Sequence, residues 1–326
     1  MLKGLALTPP TVGRISIGKV VVANGKRLPK KDDEFTITTQ VQLRDGWMLH
    51  PLDDALRKAQ PTPALKDKGK EAPVSSKLRA IPVRLLFNDP DLNLRANYSV
   101  FDKATGRPLC VGNGESCKRS TPSGVQTLPC STPEGCELGM KAGCKPYGRL
   151  NVRIGDEDEL GSFIFRTTGY NSIRTLSARL RYYQALSGDA LAAMPLELRL
   201  RGKSTTQSYR APIYYVDLTV RSGSTLAQAL DAARRETQAR VESGFDQAAL
   251  DAAARAGFAA GAFEESAEEG VAVVEEFYPD ETGSSTSQGR EEPGPAKAPA
   301  LSEKLDRLST QATSAQEGGA AHGPRA

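Results

Sequence analysis

The five cysteines of this 326-residue chain all lie between residues 110 and 144, separated in turn by 6, 12, 5 and 7 residues. The surrounding sequence, VGNGESCKRSTPSGVQTLPCSTPEGC, contains almost no large apolar side chain. Hydrophobic burial alone cannot order a loop-rich segment of this kind, and small lobes without a core commonly depend on a metal or on disulfides. The cysteine spacing therefore constrains the fold of this region more than any other feature.

Thiolate groups suit zinc, a borderline-soft ion that accepts four sulfurs in a tetrahedral arrangement. We predict that Cys117, Cys130, Cys136 and Cys144 bind Zn²⁺ in a structural site. Cys110 is left out, because it ends the predicted strand GRPLCVG and is explained as an ordinary buried thiol. Paired CxxC motifs are missing, so an iron–sulfur cluster, which also takes four cysteines, stays open as the alternative. A simpler alternative to both metal sites is that the cysteines are unconnected and each has a local structural role.

The cysteine usage also predicts the redox environment. An odd number of cysteines confined to one stretch argues against a disulfide framework. The N-terminal LKGLALTPP is too short and too interrupted by prolines for the apolar region of an export signal, and no stretch of the sequence resembles a membrane span. We therefore expect a cytoplasmic protein with reduced thiols.

The sequence offers little for catalysis. It has two histidines, of which His322 lies in the predicted tail and His50 lies among apolar residues in GWMLHPLDD. No Ser/His/Asp, HExxH or P-loop pattern is in view, and a catalytic zinc needs an open ligand position and a nearby base. We therefore expect no enzymatic activity, with a metal-dependent hydrolase acting on nucleic acid as the alternative.

Most of the chain shows the alternation of apolar and polar residues that is typical of strands, as in GRISIGKVVV, EFTITTQVQL and RLNVRI. One segment, YNSIRTLSARLRYYQAL, changes period. Its apolar residues Ile173, Leu176, Leu180 and Tyr183 step by three and four, which predicts an amphipathic helix with one buried stripe. The predicted fold class is α+β: a strand-dominated body with one amphipathic helix and a Cys-rich metal-binding insertion.

We predict a basic α+β domain, an Ala-rich helical segment and an acidic, mostly disordered tail, at residues 1–223, 224–262 and 263–326. The metal lobe occupies about residues 108–148 of the first part. Thr225 and Gln228 fit a capping box that opens the first Ala-rich helix. The predicted tail begins with a short apolar and acidic patch, VAVVEEFYPDE.

Charge is distributed unevenly along the chain. Residues 1–223 carry 34 Lys and Arg against 21 Asp and Glu, a net +13, and residues 224–326 carry 9 against 18, a net −9. A basic body suits contact with a polyanion, and an acidic tail tempers indiscriminate binding. The cations that we predict to contact nucleic acid or a protein partner are Lys145, Arg149, Arg174, Arg181, Arg199, Arg201 and Lys203. The alternative explanation is that these cations are simply the solvent-exposed side chains of a helix and a hairpin and bind no partner.

Four stretches together resemble a known family. GRISIGKVVVANGKRLPKKDDEFTITT, GNGESCKR, CKPYGRLNVRI and FIFRTTGYNSIRTL are similar to recombination-directionality-factor-like proteins of phages and integrative elements, whose relatives often carry the label "hydrolase or metal-binding protein". The resemblance covers roughly residues 10–220. It implies a metal site in the cysteine region and a family hallmark in RTTGYNSIR, which adds Arg166 to the predicted contact residues. It also implies a role without catalysis, in which the protein binds an integrase so that an element is excised rather than integrated.

These inferences together predict a non-catalytic, metal-binding accessory protein of a mobile genetic element. Its expected partners are an integrase or other recombinase and DNA, and its expected cofactor is Zn²⁺. A non-specific single-stranded DNA-binding protein stays open as a third possibility beside the hydrolase.

Overall fold

The computed structural model describes residues 11–23, 26–43, 46–59, 77–156, 161–204, 206, 210–260, 273–274 and 277–278. The chain divides into two units, Met1–Asp280 and Glu281–Ala326, and every described residue belongs to the first. The predicted disordered tail at residues 263–326 therefore lies outside the described residues, apart from four positions.

The described residues contain twelve strands. In chain order they are β1 (Thr11–Ala23), β2 (Lys26–Leu43), β3 (Gly46–Leu49), β4 (Ala80–Arg84), β5 (Leu94–Phe101), β6 (Pro108–Gly112), β7 (Ser116–Thr121), β8 (Gly124–Pro129), β9 (Lys145–Ile154), β10 (Ser162–Thr167), β11 (Leu196–Lys203) and β12 (Ile213–Val220). Strand alternation places apolar residues such as Ile15, Phe35 and Ile37 on the buried side, because successive side chains point to opposite faces of a sheet.

The strands form one branched sheet. Nine of them run in the order β3-β2-β1-β10-β9-β5-β6-β7-β8, and β4, β11 and β12 branch from β9. β1 and β10 are parallel, and the other described pairs, such as β9 with β10 and with β5, are antiparallel. β9 is the junction. It pairs with β5 over residues 145–150, with β10 over residues 148–152 and with β4 through Arg153 and Ile154.

Seven helices and one 3₁₀ segment accompany the sheet in the described residues: α1 (Pro51–Ala59), α2 (Pro90–Asn93), α3 (Thr132–Gly135), α4 (Glu137–Ala142), α5 (Tyr170–Ser187), the 3₁₀ segment Gly188–Ala193, α6 (Leu226–Glu242) and α7 (Gln247–Ala260). α5 buries the stripe of residues 173, 176, 180 and 183 that the sequence predicts. It approaches β9 so closely that a Cβ on Gly148 would lie 2.8 Å from Ile173 Cγ1, which only a glycine permits. Within the described part of the chain, no helix is long and apolar enough to cross a membrane.

The main hydrophobic core lies between one face of the sheet and α5. Residues from many elements meet there, among them Leu150 of β9, Phe165 of β10, Leu176 of α5 and Leu198 of β11, all at most 1% exposed. The prediction of a mixed, strand-dominated architecture is therefore confirmed. This core fixes β9, and β9 in turn positions the cysteine region.

Candidate functional site: the cysteine lobe and two groups of cations

The region that we call the cysteine lobe consists of β6, β7, β8, α3 and α4, which extend the sheet beyond β5 and lead back into β9. Cys110 lies in β6 and Cys117 in β7. Cys130 directly follows β8, Cys136 is the N-cap of α4, and Cys144 directly precedes β9. The antiparallel pairing of β6 with β7 and of β7 with β8 places Cys110, Cys117 and Cys130, which are up to 20 positions apart in the chain, in neighbouring strands or at their ends.

A small apolar cluster holds these residues. Val100, Cys110 and Cys117 are buried, and the partly buried residues around them are Leu109, Leu128, Cys130, Leu138, Ala142 and Cys144. The lobe thus has a modest core of its own, which the composition of its central stretch did not predict. Gly112 is part of its construction, because a Cβ there would lie 2.7 Å from Cys117 Cβ and 2.9 Å from Cys130 Sγ.

Arg119 places a permanent positive charge among the thiols. It lies opposite Cys110 in the β6–β7 pair, and its Nη2 donates to Cys136 Sγ at 3.4 Å. The hydrogen bond with Cys110 raises the pKa of Arg119 above its ordinary value. The sequence analysis missed this residue, although its position two residues after Cys117 puts both side chains on the same side of β7.

The thiols have different environments. Burial, together with neighbouring thiols, raises the pKa of Cys117 to about 11, and burial raises the pKa of Cys144 to about 12. The pKa of Cys136 is instead lowered. Gly139 N–H donates to its Sγ at 3.4 Å, and Arg119 is a second donor. At neutral pH Cys117 and Cys144 therefore keep their protons unless a cation displaces them.

The donor chemistry of the lobe fits zinc or an iron–sulfur cluster, since all five cysteines are free thiols. Their positions do not complete a ligand set: among the residues that the structure describes, no group of three or more His, Cys, Asp or Glu side chains is placed to hold a metal ion. Cys110, which we left out of the predicted set, packs in the same cluster as Cys117, Cys130 and Cys144. Metal binding at the four predicted cysteines therefore stays a prediction.

The predicted contact cations fall into two groups, and the first follows β9. Arg149 lies directly opposite Arg166 of β10 on one side and Arg95 of β5 on the other, so three guanidinium groups form a row across neighbouring strands. Arg149 points away from α5, because the adjacent Leu150 belongs to the core beneath that helix. Lys145 begins β9 beside the last cysteine, and its ammonium lies 4.7 Å from the centre of the Phe277 ring.

The second group lies on α5 and β11. Most of its members are engaged within the protein: Arg181 with Asp91, Arg199 with Glu197 and Ser222, Arg201 with Asp217, and Lys203 with Asn171. Arg174 is exposed in the first turn of α5. The sequence analysis missed Arg179, which shares Asp217 with Arg201. Arg179 and Lys203 thereby join α5 to the β11–β12 pair.

A family model, Gp3-like, described as recombination directionality factor-like, matches residues 12–221. This range includes the sheet, α5 and the whole cysteine lobe, and it covers more than half of the chain. The chain therefore belongs to the recombination directionality factor-like family, which confirms the resemblance predicted from four stretches of its sequence. The match ends before α6, so α6, α7 and all later residues lie outside it. No significant match was found among curated proteins or among solved structures.

Proposed function

We propose that this protein is a non-catalytic accessory factor that binds a recombinase on DNA and so controls the direction of recombination at a mobile genetic element. The observation that carries the proposal is the family match over residues 12–221. A binding protein acts on such a choice by having a higher affinity for one recombinase–DNA arrangement than for the other, because a ligand with equal affinity for both shifts nothing.

The cysteine lobe is the element that we assign to partner contact. It forms one end of the sheet. Its last strand, β8, has five of its six residues exposed, and Val125 of β8 and Met140 of α4 expose apolar side chains. Among the described strands β8 pairs only with β7, so its other edge is open to a partner. The exposed Arg174, within the predicted family hallmark, adds a cationic contact outside the lobe.

Zn²⁺ is the cofactor that we propose for the lobe, held by Cys117, Cys130, Cys136 and Cys144. Two observations support this: Cys117, Cys130 and Cys144 pack in one cluster, and Arg119 donates to Cys136 Sγ. Four thiolates around one Zn²⁺ leave an excess negative charge, which a nearby guanidinium offsets. Bound zinc would contribute folding free energy to a lobe with a small core.

The test is a recombination assay with purified recombinase and DNA carrying the element's attachment sites. Adding the chain should raise the ratio of excision to integration products, and a tagged chain should retain the recombinase after DNase digestion. A ratio that does not change, with only single-strand binding or replication proteins retained, would contradict the proposal. Cleavage of DNA by the purified chain, abolished by a metal chelator, would instead support the hydrolase.

A further inference from the structure

Four residues beyond the family-matched domain, Val273, Val274, Phe277 and Tyr278, pack against its sheet, and we call them the plug. They fill a slot between Phe101 of β5 and Tyr147 of β9. Val273 and Phe277 are 0% exposed, which is the burial of a core residue in a segment that the composition predicts to be part of an acidic tail.

The slot holds the phenyl ring of Phe277 on two sides. The centre of this ring lies 4.9 Å from that of Phe101 and 5.7 Å from that of Tyr147, and both pairs are edge-to-face. Phe101 and Tyr147 are themselves edge-to-face at 5.3 Å. Such a three-ring arrangement encloses an inserted aromatic side chain and adds to the energy of burial alone.

Polar contacts fix the rim of the plug. The Tyr278 hydroxyl lies 3.1 Å from the carbonyl oxygen of Ala142, at the end of α4, and 3.2 Å from that of Phe101. The ammonium of Lys103 lies 4.9 Å from the centre of the Tyr278 ring, and that of Lys145 lies 4.7 Å from the centre of the Phe277 ring. The slot is therefore apolar at its base and cationic at its edge.

The sequence around the plug has the complementary charge. Between Arg255 and Arg290 the chain has no Lys or Arg and eight Asp or Glu residues, all between Glu264 and Glu281. The slot belongs to the family domain, whereas the plug lies more than 50 residues beyond the end of the family match at residue 221. An appended acidic segment thus covers an aromatic, cation-rimmed site of the domain.

We propose that this slot is a binding site for an acidic peptide of a partner protein, anchored by an apolar residue and an aromatic residue four positions later, and that the plug is an intramolecular competitor for it. The plug itself shows the spacing, with Val273 and Phe277 as the two buried anchors. Tyr278 N–H donates to Val274 O at 2.8 Å, which is the bond of a helical turn, so the expected ligand binds as a short helix in a groove.

A peptide suits this slot better than a nucleic acid does. Bases bind by stacking on the open face of an aromatic ring. Here Phe277 meets both Phe101 and Tyr147 edge to face, at interplanar angles of 72° and 76°, and is not stacked on either ring. The site therefore favours one inserted ring rather than a series of stacked bases.

The experiment uses a fluorescent peptide with the sequence of residues 268–282, added to the full-length chain and to its Phe277→Ala variant. The variant should bind the peptide about 10- to 100-fold more tightly, because its own plug no longer competes effectively. A peptide with Ala in place of its Phe should not compete, and added salt should weaken binding because Lys103 and Lys145 contribute.

The matched control is Phe245→Ala, which removes a phenylalanine that is 44% exposed and lies outside the slot. It should bind the peptide as the unaltered chain does. If Phe277→Ala does not melt cooperatively, Tyr278→Phe replaces it, since this change removes only the hydroxyl bonds and should give a smaller increase. Equal peptide affinity of the unaltered chain and the folded variant would overturn the proposal, as would a gain of affinity for oligothymidine instead of peptide.

This inference deepens the proposed function by assigning a contact to a partner protein, but the two fail separately. Peptide binding that Phe277→Ala enhances, with no effect of the chain on recombination, would leave the slot standing and reject the recombination role. The opposite result is that neither chain binds the peptide while both change the recombination products equally. It would reject the peptide site and leave the recombination role supported.

Discussion

The main core and the cysteine lobe are both built on strands of one sheet, yet they are stabilised differently. Among the described residues, 27 buried residues from strands, helices and the 3₁₀ segment form the core, whereas the cluster in the lobe has three buried residues, of which two are cysteines. Burial on the scale of the core is sufficient to hold a domain together. The lobe has too little apolar area for that, so its order depends on the sheet, on polar contacts around sulfur and, in our proposal, on an ion. One sheet therefore carries two regions that differ in how far their own buried apolar residues stabilise them.

The largest effect is expected from a cavity in the core. Leu180→Ala should lower the free energy of unfolding by about 2–5 kcal/mol, because Leu180 is 0% exposed and its removal leaves a void beneath α5. Leu186→Ala on the same helix is the matched control, since Leu186 is 39% exposed. Denaturant unfolding followed by circular dichroism measures both. Similar losses for the two variants would mean that α5 does not seal the core as described.

Loss of zinc should be the next largest effect, and it should be confined to the lobe. Cys136→Ser should abolish the bound zinc measured by elemental analysis and should increase amide hydrogen exchange in β7, β8 and α4 while β1 and β2 stay protected. Cys110→Ser is the matched control and should retain the metal.

Zinc binding should also weaken as the pH falls, because protons compete for thiols such as Cys117, whose pKa is raised to about 11. A metal-free unaltered chain, or loss of metal in Cys110→Ser alone, would contradict the proposed ligand set.

A smaller effect is expected from Gly112→Ala. Its methyl group should push Cys117 and Cys130 away while every cysteine stays in the chain. The new methyl group would lie 2.9 Å from Cys130 Sγ and 3.0 Å from the carbonyl oxygen of Ser116, so the lobe should lose about 1–3 kcal/mol of local stability. Gly135→Ala in α3 is the control, because its nearest neighbour is the Ser131 Cβ at 3.3 Å. Hydrogen exchange of the β7 amides distinguishes the two variants. Equal exchange in both would show that the close approach at Gly112 is not needed.

The smallest effect concerns an ion pair outside the lobe. Arg221 and Arg84 donate to Asp156 and lower its pKa to about 2, so the ionised carboxylate stabilises the folded state. This contribution is fully present above the ordinary pKa of 3.8 and is lost as the pH falls towards about 2. Asp156→Asn should therefore lower the melting temperature slightly at neutral pH, have little effect near pH 2, and so flatten the acid dependence between these two limits. Asp54→Asn, at an exposed pair with Lys58, should leave the acid dependence as it is.

The same contrast explains how far the sequence alone could predict the molecule. Alternation and the 3.6-residue period identified strands and the buried stripe of α5, because burial on one face imposes those periods directly. The capping pattern of Thr225 and Gln228 likewise predicted a helix start, and α6 begins at Leu226 with both bonds of the box formed. The parallel pairing of β1 with β10 and the branch at β9 could not be predicted, since they depend on contacts between residues far apart in the chain.

Within the candidate site, residue type was easier to predict than environment. The cysteines were found from their spacing, but the contribution of Arg119 depends on strand pairing across β6 and β7, which spacing does not reveal. The plug was visible as an apolar patch in VAVVEEFYPDE, yet nothing local indicated that Phe277 inserts between Phe101 and Tyr147. The engagement of Arg201 by Asp217 could likewise not be predicted, because it depends on the pairing of β11 with β12.

The central position of β9 has a mechanical consequence. A strand bonded along both edges cannot slide, because moving it by one residue would turn Leu150 out of the core and drive Arg149 into it. Cys144 is attached to the end of that strand, so the base of the lobe cannot travel along the sheet. The lobe is tied to the sheet a second time, because β6 pairs with β5 from Tyr98 to Phe101. A protein that binds the lobe therefore pulls on β5 and β9 together, the two strands through which the lobe is joined to the main core.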